Sequence, residues 1–148
     1  MLPRACEVSA FTEIGSLPHF NPDDDCGSIA PEIVRWRAAI SEADAVIIST
    51  PEYAHALPGS FKNALDWLVS DPAFAGKRVV ILQAARGSDF AVQSLKEVLR
   101  TMSASILEEA CVSLALGSNS LDDHQVLARA DIRQQLELSG QKLIESWD

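Results

Sequence analysis

Apolar residues follow two rhythms along this chain. Ala45–Ser49, Arg78–Gln83 (with Val79-Val80-Ile81-Leu82 at its centre) and Ala110–Leu116 are near-continuous apolar runs. Such runs read as strands buried on both faces of a parallel sheet, which lack the polar alternation of half-exposed strands. Between them the apolar positions recur at helical spacing. Pro31–Glu42 sets Ile33, Trp36 and Ile40 on one face, with Pro31 in the first turn and Ser28 as a candidate cap. Gly59–Ser70 turns Phe61, Leu65 and Leu68 inward, and a helix from about Phe90 to Met102 carries Leu95, Val98, Leu99 and Met102 as its stripe. A last long helix, capped by Asp122 or Asp123, runs to Trp147 with Ile132, Leu136, Leu143 and Trp147 on a shared face. Cys6–Ile14 alternates loosely and is rich in β-formers (Val8, Phe11, Thr12, Ile14), which predicts a further strand. Gly15–Ser28 holds Pro18, Pro22, Gly27 and the acidic run Asp23-Asp24-Asp25, which predicts a solvated loop.

Strand and helix alternate throughout. That order predicts an α/β fold, a doubly wound parallel sheet in three layers with helices on both faces. A chain of 148 residues fits one domain, residues 1–148.

Composition narrows the function. A hydrophobic share of 47% supports a core at this length. No stretch of about 18 apolar residues occurs, so no membrane partner is expected. A formal net charge of −9 argues against nucleic acid, whose phosphates call for clustered Lys and Arg. The same charge leaves any bound phosphate to be held by local geometry. Cys6, Cys26 and Cys111 are far apart and form no C-x-x-C pair. That usage fits inert thiols in a reducing cytoplasm and predicts no metal site. The acidic run lacks the ligand spacing of a calcium loop.

The most informative passage is Pro51–Trp67, P-E-Y-A-H-A-L-P-G-S-F-K-N-A-L-D-W, directly after the apolar run at 45–49. A buried strand ends, a loop of Pro, Tyr, His and Gly follows, and a helix begins. In open α/β sheets ligands sit at the carboxyl ends of strands. Within the helix, Lys62 and Asp66 are four apart and suit an ion pair. Lys62-Asn63-Ala64-Leu65-Asp66-Trp67 reads as a structural stretch, with Trp67 as packing. His19 and His124 read as surface residues, and His55 as a candidate proton donor or gate.

This passage resembles the signature of the NADPH-dependent FMN reductase family, a flavodoxin-like group whose usual form is close to P-E-Y-N-x-S-x-P-G-x-L-K-N-A-I-D-W. Leu17–Asp23 is similar to the family's stretch after its second strand, and Ala84–Ser88 with Leu95–Ser103 to the loop and helix after its fourth. The resemblance implies non-covalent FMN reduced by NADPH or NADH. It implies a small-molecule electron acceptor such as a quinone, reached by ping-pong exchange at one shared site. Members are homodimers or homotetramers with the flavin near a subunit boundary. Carried over by position, flavin contact falls on Pro51, Glu52, Tyr53, Ala54 and His55, and on Arg86, Gly87 and Ser88 of the second loop. Backbone N–H groups in the 51–55 loop suit the ring edge, Tyr53 the ring face, and Arg86 the phosphate of the nicotinamide cofactor. The chemistry is the flavin's, so no side chain is assigned as catalytic.

Three departures carry expectations. Ala54 stands where Asn is common, removing a side-chain hydrogen bond. Ala56 stands where Gly or Ser is usual; Gly takes positive φ freely and Ala does not, so the loop is expected to shift. Members also open with a strand, a loop like G-S-x-R-x-x-S-x-N and a helix, which hold the FMN phosphate. Here the first strand matches the family's second, so about 30 residues, one βα unit, are expected to be missing. Strand 45–49 is then expected to have an exposed edge, and FMN to be held loosely. The competing readings are a non-catalytic or weakly flavin-binding truncated member and, against the signature, a flavodoxin-like electron carrier.

Overall fold

The structure is a computed structural model that describes residues 6–84, 88–116 and 122–147. Its frame is a parallel sheet. Strand β1 (Ala45–Ile48) lies beside β2 (Arg78–Ala84), with Ala45 opposite Arg78 and Ile48 opposite Ile81. The other edge of β2 takes β3 (Ser105–Ile106) near its start and β4 (Val112–Leu114) near its end. These two are one strand interrupted by a bulge. From Val79 to Leu82 the central strand advances three residues, while its partner advances six, from Ile106 to Val112. Across the bulge Leu107 N–H still donates to Val79 O at 2.9 Å, and Ile81 N–H points to Cys111 Sγ at 3.3 Å in place of a carbonyl. Burial pushes the Cys111 thiol above its ordinary pKa, which keeps it protonated and inert. The apolar run at 110–116 therefore yields a shorter strand than its sequence suggests, and Ser105–Ile106 supplies the rest.

The helices are α1 (Pro22–Asp25), α2 (Pro31–Glu42), α3 (Gly59–Asp66), α4 (Phe90–Thr101), α5 (Asp123–Ala128) and α6 (Ala130–Glu145). Single 3-10 turns occur at Ile14–Ser16 and Pro72–Phe74. Side chains alternate across the sheet as strands require. Ile48, Val79 and Ile81 point to one side, where Ile33, Trp36, Ile40, Leu65, Leu95 and Leu99 of α2, α3 and α4 cover them. Each fully buried Leu or Ile there contributes about 1.5–3 kcal/mol. Val80 points to the other side and packs with Ala110 and with Leu143 of α6, beside Ala45, Leu82 and Leu107. This is the expected three-layer, doubly wound arrangement.

Several local expectations change. Residues 6–13 form no strand. Phe11, Ile14, Leu17 and Phe20 all pack on the α2–α3 core, a spacing of three rather than two. Phe11 lies on Trp36 with ring centroids 4.8 Å apart. The segment crosses the helices and joins no strand edge, so its apolar side chains meet a helical surface in place of a sheet. The acidic run is not a loop but the short helix α1, started by Asn21, whose side chain accepts from Asp23 N–H. Its Asp25 is partly buried, pairs with Arg37 at 2.7 Å and accepts from Ser70 Oγ. The Ser70 hydroxyl first, and then Arg37, hold the Asp25 carboxyl below its usual range. Ser28 does not cap α2; Ala30 occupies that position and makes no side-chain bond, while Pro31 removes one of the N–H groups that needs a partner. The last helix is two. Arg129 is extended, because its guanidinium donates to the carbonyls of Ala115 and Leu116 beyond β4 and pairs with Asp131. Trp147 is exposed rather than packed.

Strand β1 is not buried on both faces. Ile48 is 5% exposed but Ile47 is 42% exposed. The outer edge of β1 pairs with no strand among the described residues. Ile47 borders a cavity of about 190 Å3 shared with Val80, Leu82, Leu127, Leu136 and Leu143. Among the described residues no helix is long and apolar enough to cross a membrane.

Candidate functional site

The segment after β1 leaves the sheet extended and doubles back at once. Tyr53 N–H donates to Ala56 O and Ala56 N–H to Tyr53 O, both at 3.0 Å, closing a two-residue hairpin. Its central residues, Ala54 and His55, have φ of 50° and 57°. Positive φ at both positions is what a type I′ turn requires. It costs a non-glycine residue about 1–2 kcal/mol. The sequence placed this demand on Ala56; it falls one and two residues earlier, on the residue that replaces the family's Asn and on the histidine after it.

The turn is tied to the start of α4, at the carboxyl end of β2. Glu52 is partly buried. It accepts a hydrogen bond from Ser88 Oγ and, at 2.9 Å, one from Ala91 N–H. The Ala91 N–H, then the Ser88 hydroxyl, hold its carboxyl below the usual glutamate range. Ser88 is itself held by Gln83 Nε2, which donates to its carbonyl at 3.1 Å. Further along the turn the His55 ring lies nearly parallel to Phe90, 22° between planes and 4.7 Å between centroids. The loops after β1 and β2 are thus joined by a carboxylate and by a pair of stacked rings.

The predicted residues separate in role. Tyr53 is 64% exposed beside the hairpin and is not turned into the core. Pro51, Ala54 and His55 are exposed as well. Among the described residues the N–H groups of Ala54 and His55 donate to no protein acceptor. Glu52 and Ser88 face each other instead of outward. Arg86 and Gly87 lie outside the described residues. Phe90, Ala91 and Gln83 complete the cluster and were not singled out from sequence. The available signal was Phe90, an aromatic opening a helix off its buried stripe and 51% exposed. No group of metal-binding side chains occurs among the described residues.

The second half of the signature is structural. Asn63 Oδ1 accepts from Phe20 N–H at 2.7 Å and its Nδ2 donates to Pro18 O at 2.9 Å. Trp67 is 1% exposed, donates from Nε1 to Pro18 O at 2.8 Å, and meets the Phe20 ring edge-on at 5.0 Å. Lys62 pairs with Asp66 across one helical turn. This helix fastens the 18–20 segment.

An exposed row of backbone donors flanked by aromatic faces suits the edge of a flat heterocycle bearing carbonyl and ring-nitrogen acceptors. An isoalloxazine ring is one such heterocycle.

Comparison with known proteins agrees. The family model described as NADPH-dependent FMN reductase matches residues 2–119. The chain is 32% identical over 136 residues to an NAD(P)H-dependent FMN reductase of Pseudomonas aeruginosa, an alignment covering 86% of this chain and 74% of that protein. It is 39% identical over 88 residues to a quinone reductase of Escherichia coli K12, covering 57% of this chain and 47% of the relative. The chain therefore spans about half the length of that quinone reductase. Among solved structures, FerB, a flavoenzyme NAD(P)H:(acceptor) oxidoreductase of Paracoccus denitrificans, superposes with a TM-score of 0.62 at 24% identity, over 87% of this chain and 78% of that one. At that identity the likeness speaks to the fold, which is flavodoxin-like.

Proposed function

The chain belongs to the NADPH-dependent FMN reductase family, and on that footing we propose that it is an NAD(P)H-dependent oxidoreductase that reduces a small acceptor of the quinone class. The family uses FMN with NAD(P)H as the electron donor. When bound, FMN supplies the redox chemistry, taking hydride from the nicotinamide and passing electrons to the acceptor. The chain supplies binding, orientation and shielding. The carrying observation is the hairpin: two exposed N–H groups, at Ala54 and His55, held in a fixed direction by a turn whose own hydrogen bonds are complete.

In this reading the N–H groups of Ala54 and His55 hold the ring edge. Pro51 and the Tyr53 ring lie against the flavin and limit the access of water to it. The His55–Phe90 pair walls the site on the side of α4. Ser88 borders the space where nicotinamide and acceptor exchange, and the family resemblance assigns Arg86 and Gly87 to cofactor contact, with Arg86 for the donor's phosphate. The resemblance to a quinone reductase supports a quinone as acceptor. A homodimer or homotetramer in the cytoplasm completes the reading; three free cysteines suit a reducing compartment.

The test is a titration followed by turnover. FMN added to the purified protein should lose fluorescence on binding, and under anaerobic conditions NADPH should then be consumed beyond one equivalent of FMN only when 1,4-benzoquinone is also present. Absence of binding together with absence of FMN-dependent NADPH or NADH oxidation would overturn the proposal.

A further inference from the structure

We propose that Glu52 is a positioning residue: its carboxylate sits beneath the hairpin, fixes the Ala54–His55 donors against the first turn of α4, and does not itself touch the bound ring. The inference rests on the flavin reading of the hairpin for its functional consequence, though not for its geometry. Both carboxylate oxygens are engaged within the protein, one by Ser88 Oγ and the other by Ala91 N–H. Neither is left as the principal acceptor for a ligand. The N-cap residue of α4, Asp89, makes no side-chain capping bond. Glu52, 39 positions before Ala91, supplies the missing acceptor from another loop.

The turn it supports is under conformational tension. Ala54 and His55 both sit in the left-handed region, where neither residue type settles on its own. A hairpin of this kind holds its shape only when its surroundings over-determine it. Two ties do so, Glu52 just before the bend and the His55 ring on Phe90 within it. Both end on the first residues of α4. Removing the carboxylate leaves the stacked rings alone to orient the donors.

The titratable groups around Glu52 are few. His55 lies on its own turn and adds a favourable interaction with the carboxylate. Asp89 stands at the N-cap of α4. Ser88 and Ala91, the groups in direct contact, are neutral. The carboxylate form makes the clamp, so the clamp is complete above the ordinary glutamate range and is lost as pH falls through the depressed value in the folded protein.

The experiment follows backbone amides by 15N–1H correlation spectra from pH 7 downward in the wild type, Glu52→Gln, Glu52→Ala and Ser88→Ala, with FMN affinity measured in parallel. In the wild type the amides of Ala91, Ala54 and His55 should titrate together with one midpoint. Glu52→Gln should abolish that midpoint while keeping the fold, and should flatten the pH profile of FMN affinity. Glu52→Ala should weaken FMN binding about tenfold at neutral pH, with Ser88→Ala in between. If the Ala91 amide responds to Glu52 while those of Ala54 and His55 do not, Glu52 is a helix cap and the proposal falls, whatever FMN does. If all three respond and the wild type takes up no FMN, the positioning role stands and the flavin reading falls.

Discussion

At the scale of single residues, the decisive feature is a pair of left-handed backbone positions in a chain that puts no glycine there. Ala54 and His55 hold φ of 50° and 57°. Alanine has no local compensation for that conformation, whereas the asparagine common in the family tolerates it. Replacing Ala54→Asn should therefore stabilise the protein by about 1 kcal/mol, a rise of about 2–4 °C in Tm at this chain length. Scanning calorimetry checks it; a fall in Tm would mean that position 54 does not adopt positive φ in solution. The signature marked the tight connection at 51–55, since a turn directly after a strand is legible from Pro, Tyr and His in that context. Which residue bears the unusual torsion was not legible, because it depends on where the Tyr53–Ala56 hydrogen bonds close. The role of Glu52 was equally hidden. Its partners are 36 and 39 residues away, and no local pattern links them.

Elements obeyed the sequence where their own periodicity decided them, and departed from it where a distant partner did. The stripe of Ile33, Trp36 and Ile40 gave α2 its limits because burial of that face and Pro31 at its start are both local facts. Helix α3 is different in kind, since its polar residues act on another segment. Asn63 makes two hydrogen bonds to the 18–20 stretch and Trp67 a third. Replacing Asn63→Ala should cost about 2 kcal/mol, mostly by leaving the Phe20 N–H and Pro18 carbonyl with fewer partners. Hydrogen exchange at the Phe20 amide should quicken in that variant. Unchanged exchange there would show that Trp67 alone anchors the segment. The break between α5 and α6 carries no glycine or proline; Arg129 makes it by reaching back to the carbonyls after β4. A supposed strand at 6–14 became a packed segment for a related reason. Its β-forming residues cover a helix surface and join no strand edge.

Across the whole molecule the two faces of the sheet are unequally covered. Three helices, α2, α3 and α4, pack on the side of Ile48, while α6 serves the side of Ile47. Neighbouring residues of one apolar strand should thus respond differently to the same change. Ile48→Ala should cost about 2–5 kcal/mol by opening a cavity in a closed core. Ile47→Ala, at a position 42% exposed, should cost well under half of that. Urea unfolding of the two variants measures the contrast, and equal losses would mean that Ile47 is covered in solution. What the sequence determined on its own was everything set by period and by local chemistry. It settled the alternation of strand and helix, the class of fold, the buried stripes and the place of the tight turn after β1, because each of these is decided by residues within a turn or two of one another. Tertiary structure alone decided which strands found neighbours, which torsions the hairpin adopts, and that the glutamate of the signature accepts from Ser88 and Ala91 at the start of α4. Those outcomes depend on contacts between residues tens of positions apart, and only the closed fold brings them within reach.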